Sequence, residues 1–197
     1  MFVGDGGIER KYGLVYVREM KVLGMQHDEK QMANGDKTLA AVCGLYCEAC
    51  TLYIASTEDP TRLAFLAERF GMPEEELKCF GCRSHKRGLY CQTCTMFTCA
   101  AEKGIDFCVD CDEYPCDHLK QFQSERPHRN ELWNDLAQIK EKGWEYWLQN
   151  NRAEYACPQC DTINSAYDLK CRKCGHEPSC NYVAKHKEAI EQVLKNM

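Results

Sequence analysis

The sequence predicts a small, metal-organised α+β fold, with short helices around Cys-x-x-Cys knuckles followed by longer helices and a β-hairpin zinc ribbon. Three observations predict it. Sixteen of 197 residues are cysteine, about 8%, the level at which thiols form a scaffold rather than a few packed side chains. Twelve of the sixteen fall into six Cys-x-x-Cys pairs, the spacing at which a tight turn points two sulfurs at one ion. Leu, Ile, Val and Phe are sparse, so an apolar core alone would be thin and metal crosslinks would supply the missing stabilisation.

Metal is favoured over disulfide by the expected compartment. The chain opens MFVGDGGIERKYGLVYVREMK, which lacks the basic start and apolar run of a secretory signal. No stretch approaches the ~20 apolar residues of a membrane span. These features fit a soluble cytoplasmic protein, where cysteine clusters hold metal or do redox chemistry instead of forming cystine. The net charge of −5 does not announce a nucleic-acid or membrane partner.

Residues 1–38 read as an N-terminal extension. Leu14, Tyr16, Met20 and Val22 alternate as in an edge strand, and a polar linker with an Asn34-Gly35 turn follows. Residues 39–125 form the cysteine-rich metal-binding domain. Within it, Asp59 caps a helix that has Pro60 at its first position, Leu63, Leu66, Ala67 and Phe70 on one face and Gly71 as its stop. A short helix near Pro73, with Glu74, Glu75 and Glu76 favouring its N-terminal dipole, leads to Cys79 and Cys82. Thr95 to Lys103 is another short helix closed by Gly104. It lies between two copies of one spacing, Cys91-x2-Cys94-x4-Cys99 and Cys108-x2-Cys111-x4-Cys116, which predicts two related local structures. Residues 126–156 are a helical segment carrying Leu132, Leu136, Ile139, Trp144, Trp147 and Leu148 inward. Residues 157–176 are the ribbon, and 177–197 the last helix, with Val183, Ile190, Val193 and Leu194 inward.

The clearest metal site is Cys157, Cys160, Cys171 and Cys174. Ten residues separate its two pairs, and Gly175 lets the backbone turn behind the ion. Four thiolates in a tetrahedron suit zinc best, and iron fits the same geometry. Cys47/Cys50, Cys79/Cys82, Cys91/Cys94 and Cys108/Cys111 can combine into two further four-cysteine sites in three ways. The repeated spacing favours joining 91/94 with 108/111, which leaves 47/50 for 79/82. Cys43, Cys99 and Cys116 form a third site if His85 or His118 supplies a fourth ligand, and otherwise read as buried thiols. Several zinc ions are the implied cofactors.

Iron–sulfur and thiol chemistry are the rival readings. Cys43-x3-Cys47-x2-Cys50 has the spacing of the radical S-adenosylmethionine motif, but no repeated strand–helix units follow it. Neither Cys-x2-Cys-x4-Cys copy has the bacterial ferredoxin spacing, and no βαβ context supports a thioredoxin-type pair. Lys170, Arg172, Lys173, Lys185 and Lys187, with Arg83, Lys86 and Arg87, would be the basic surface of a nucleic-acid module. The acidic total favours a solvated face instead. His27, His128 and His186 sit in polar stretches and read as solvated.

AVCGLYCEACTLYIA, LKCFGCRS and EKGIDFCVDCDEYPCDHLKQF together resemble the prokaryotic cysteine-rich domain-of-unknown-function 3795 family over Ala41 to Phe122. The helical segment and ribbon after them are similar to the longer members, which carry an extra rubredoxin-like zinc ribbon. The resemblance implies metal binding by these cysteines in a soluble prokaryotic protein, and it carries no reaction.

No phosphate-binding glycine loop, His-Glu-x-x-His or nucleophile elbow is present. The sequence therefore favours a non-catalytic zinc protein that presents a surface to a protein partner. A redox or metal-handling protein using an iron–sulfur cluster or a labile site at Cys43, Cys99 or Cys116 is the alternative.

Overall fold

The structure, a computed structural model, describes residues 36–196. The predicted edge strand between Leu14 and Val22, and His27, lie outside the described residues. From Lys37 onward these residues form one unit built of helices. They are α1 (Thr51–Thr57), α2 (Pro60–Phe70), α3 (Glu74–Leu77), α4 (Leu89–Gln92), α5 (Thr95–Lys103), α6 (Asp117–Ser124), α7 (Leu132–Lys142), α8 (Trp144–Tyr155) and α9 (Asn181–Lys195).

The caps fall where the sequence places them. Asp59 accepts a hydrogen bond from the Arg62 backbone N–H at 2.9 Å, and Gly71 and Gly104 end α2 and α5 in the left-handed conformation. On α2, Leu63 and Ala67 are buried and Leu66 is half-buried. Phe70, predicted inward, is 54% exposed, because it stands beside a cavity rather than against another helix.

The β part of the predicted fold class is overturned. Among the described residues there is no strand, and β pairing is reduced to isolated bridges at Ala40–Tyr46 and Ala156–Ile163. The segment between Cys160 and Cys171 does not form a β-hairpin because side chains and a turn occupy the backbone groups a ladder would need. Arg172 Nε donates to Ile163 O at 2.9 Å and Asn164 Nδ2 to Thr162 O at 2.8 Å. The Arg172 N–H is held by Asn164 Oδ1 at 3.0 Å and the Ser165 N–H by Asp168 at 2.8 Å. The two Cys-x2-Cys-x4-Cys copies also differ. Cys99 lies inside α5, whereas Cys116 is the N-cap of α6.

The core is an aromatic seam joining the cysteine-rich entry to the later helices. Tyr46 meets Trp147 edge-on at 6.1 Å and Tyr155 at 5.9 Å, and Tyr155 stacks on Tyr182 at 4.7 Å. Trp147, Leu132, Leu136, Val183 and Ile190 are fully buried around it. Such contacts supply both area and geometry-specific stabilisation. No described helix is long and apolar enough to cross a membrane.

One polar group lies between α7 and α8. Asp135 Oδ1 accepts hydrogen bonds from Trp147 Nε1 at 2.9 Å and Asn151 Nδ2 at 3.2 Å. Burial nevertheless pushes its carboxyl up to about 6. The folded state then holds this proton where the unfolded chain releases it, so stability falls as pH rises from about 4 to 6 and stays lowered above that. A shift of this size corresponds to about 2–3 kcal/mol. Asp135→Asn is expected to remove that component and to stabilise the protein at pH 8 relative to wild type more than at pH 5, read by urea denaturation of both proteins at each pH.

Candidate metal centre

Two loops of the same construction build the C-terminal site. In the first, the Cys157 N–H donates to Thr162 O at 2.9 Å and Cys157 O accepts from the Asp161 N–H at 2.9 Å. In the second, the Cys171 N–H donates to His176 O at 2.8 Å and Cys171 O accepts from the Gly175 N–H at 2.9 Å. The residue after each second cysteine, Asp161 or Gly175, is left-handed, with φ of 59° and 76°. That turn folds each knuckle so that both of its sulfurs face one point.

The result is a converged quartet. The sulfurs of Cys157, Cys160, Cys171 and Cys174 all lie within 4.8 Å of one another, with Cys157–Cys174 and Cys160–Cys171 at 3.6 Å. A zinc ion with bonds of about 2.3 Å to sulfur sets tetrahedral thiolates about 3.8 Å apart. The donor set therefore fits a single metal ion, and the four cysteines can hold one. Hydrogen bonds from Thr162, whose hydroxyl is 3.3 Å from Cys160 Sγ, pull that thiol down to about 6, toward the thiolate that metals bind.

The residue that locks the quartet is Asn164, which spacing alone does not single out. It is fully buried. Its Nδ2 donates to Thr162 O, to Ser179 O at 3.3 Å and to Cys171 Sγ at 3.7 Å, while its Oδ1 receives the Arg172 N–H. Groups that orient metal ligands typically contribute 10- to 100-fold in affinity. Asn164→Ala is expected to weaken metal binding by about that factor, measured by competition against a chromogenic chelator, with all four thiols intact.

The site is anchored to the cysteine-rich part by charge and hydroxyl contacts. Arg62 on α2 grips Asp168 with two hydrogen bonds, at 3.0 and 3.2 Å, Arg172 pairs with Glu58, and Thr51 on α1 meets Ser165 at 2.8 Å. Bidentate arginine–carboxylate geometry holds register better than an exposed lysine pair. Other basic residues of the supposed nucleic-acid face are also engaged. Lys170 and Lys187 pair with Glu177 at 3.4 and 3.1 Å, and Lys185 with Glu154 at 2.5 Å.

The remaining predicted ligands divide between two cavities. Cys43, Cys47, Cys50, Cys79, Cys82, Cys91 and Cys94 line one of about 410 Å³. Cys99, Cys108, Cys111 and Cys116 line another of about 200 Å³, with His118. Spacing alone joined 91/94 to 108/111, but the structure places these pairs on different cavities. Burial raises the Cys43 and Cys47 thiols strongly and pushes Cys91 and Cys108 up to about 12. At the second cavity Lys103 Nζ donates to Cys111 Sγ at 3.2 Å. His85, the other possible ligand, stacks on Phe80. All sixteen cysteines are free thiols.

Two histidines expected in solvent are engaged. Arg129 Nε donates to His128 Nε2 at 3.2 Å, which leaves the ring proton on Nδ1, 2.6 Å from the Tyr167 hydroxyl. Burial lowers this imidazole to about 3, so it stays neutral. His186 meets Glu131 at 2.9 Å and lies against Tyr182.

Helices linked by cysteine knuckles, followed by one converged thiol quartet able to hold a metal ion, define a cysteine-rich class of protein. Residues 39–121 match the family described as Protein of unknown function (DUF3795). The match spans every cysteine from Cys43 to Cys116 and ends before the Cys157–Cys174 quartet. No curated protein and no solved structure matches the chain.

Proposed function

We propose that this is a non-catalytic protein of a reducing, cytoplasmic environment in which zinc at Cys157, Cys160, Cys171 and Cys174 fixes the C-terminal segment onto the cysteine-rich part. The observation that carries the reading is the convergence of all four sulfurs within 4.8 Å, with those of opposite knuckles 3.6 Å apart, close to the spacing of about 3.8 Å in a tetrahedral zinc–thiolate centre. Zinc has no redox chemistry and fills its coordination shell with four thiolates, so such a centre shapes a surface and leaves no open position for a substrate. Phe65 and Phe70, both on α2 and 58% and 54% exposed, offer apolar area to a protein partner.

Elemental analysis of the full chain tests the reading. One zinc retained through gel filtration and lost in the Cys171→Ser variant is expected. A chain whose zinc content is unaffected by that substitution, or whose quartet holds iron instead, would overturn it.

A further inference from the structure

One corner of the larger cavity is built without cysteine. His128 and Arg129 come from the Pro127–Arg129 turn, Tyr167 from the segment between the two C-terminal knuckles, Tyr90 from α4 and Phe122 from α6. All five line the space of about 410 Å³, a volume near the lower end of small-molecule sites, about 300–1,000 Å³. Phe70 and Tyr90 line it too and are 54% and 57% exposed, so the space opens to solvent at these two rings.

The polar groups of this corner form a chain with two donors left over. Arg129 Nη1 donates to Phe122 O at 2.6 Å and to Glu125 Oε2 at 2.9 Å, and Nε donates to His128 Nε2 at 3.2 Å. Nη2 has no hydrogen-bond partner among the described residues, on a residue that is 6% exposed. The ionic partner of this guanidinium, Glu125, has a side chain 46% exposed, so the buried cation is compensated from its solvent side alone. Further along, the His128 Nδ1–H is spent on the Tyr167 hydroxyl at 2.6 Å. That oxygen therefore acts as acceptor, and its own O–H finds no acceptor among the described residues. A guanidinium N–H and a phenol O–H joined through one imidazole make a donor pair suited to a carboxylate.

The rings around the pair are apolar and already ordered. The Arg129 guanidinium lies 3.6 Å from the Phe122 ring and 5.8 Å from that of Tyr90, and these two rings stack at 6.4 Å. Cation–π contact on one face fixes the guanidinium in place before any ligand arrives. Tyr46, Phe70 and Tyr155 add further ring surface to the same wall, the kind that packs on another aromatic ring. A cavity with mostly apolar walls and a few convergent polar groups is the usual form of a small-molecule site.

We propose that this corner binds the carboxylate of a small aromatic acid, with Arg129 and Tyr167 holding the anion and the rings of the cavity holding the body. No bond is made or broken, so the reading of a non-catalytic protein is extended by a ligand and not replaced. The assignment uses none of the predicted metal ligands and does not rest on the identity of the ion at the quartet.

The test uses the full chain as purified under reducing conditions, titrated by ligand-observed NMR. The probes are benzoate, phenylacetate and indole-3-acetate, each beside its primary amide, with acetate as the acid that lacks a ring. At least one of the three aryl acids is expected to saturate one site per chain, with its amide and acetate each about tenfold weaker or more. Tyr167→Phe, which removes the free O–H and keeps the ring, should weaken that acid about tenfold. Arg129→Gln should abolish the preference for acid over amide, and Phe65→Ala, outside the cavity, should change neither. Failure of all three acids to saturate, equal affinity for acid and amide, or an acid affinity unchanged in both cavity variants overturns the assignment. If Arg129→Gln does not fold, the acid–amide comparison on the unaltered chain and Tyr167→Phe still decide. Zinc content in Cys171→Ser is scored separately, so failure of one assignment is not mistaken for failure of the other.

Discussion

Removing the ion from the Cys157–Cys174 quartet should unfold the segment that carries it. Between Cys157 and Cys180 there is no helix and no strand, and the buried apolar residues other than cysteine are Ile163 and Ala166. Backbone order there depends on the two knuckles and on Asn164. Apparent binding free energies of structural zinc sites in small domains reach about 10 kcal/mol or more, and that energy is folding energy. A Cys157→Ser/Cys171→Ser variant is therefore expected to lose amide protection throughout 157–180, and its melting temperature should drop well beyond the effect of an ordinary surface change. The contacts made by Asp168 and Ser165 would go with it. Hydrogen exchange with mass spectrometry, comparing this variant with the zinc-loaded parent, reads the result. Unchanged protection would mean that Asn164 and the ion pairs hold the segment without metal.

The second large effect is expected at Gly81, inside the Cys79–Cys82 knuckle. Its φ is +105°, and a Cβ there would lie 2.4 Å from the carbonyl oxygen of Thr38. The obstructing atom is backbone, so no rotamer change relieves the clash. Gly81→Ala should therefore combine conformational strain with overpacking, together about 3 kcal/mol or more. It should also displace Cys79 and Cys82 from the thiol cavity. Gly71→Ala is the matched control, because that glycine is left-handed with no atom within 4 Å of the added carbon, and it should cost only about 1 kcal/mol. Denaturant melts of both variants check the difference. Equal effects would show that backbone conformation, and not the approach of Thr38, sets the cost.

What the sequence revealed and what it hid follow from the range of the interactions. The ends of α2 were legible because Asp59, Pro60 and Gly71 act on their own backbone. The Cys157–Cys174 quartet was legible because each knuckle needs only six residues and the two lie close in sequence. The hairpin expectation failed for a different reason. The backbone groups of residues 162–172 are claimed by Asn164, Arg172 and Asp168, and no periodicity reports which competitor takes a hydrogen bond. The division of the other thiols was hidden because every Cys-x-x-Cys pair has the same local form. Which pairs share a space is decided by contacts such as Tyr46 on Trp147, about a hundred residues apart in sequence. Arg62 with Asp168 is equally silent, since neither residue belongs to a motif.

Ser165, Ala166 and Tyr167 belong to the C-terminal segment, yet they also line the larger thiol cavity. An ion bound at the quartet would order this segment and with it one wall of the space around Cys47, Cys50 and Cys91. Occupancy of the quartet and access to those thiols are then linked, and chelation is expected to quicken their reaction with a thiol reagent.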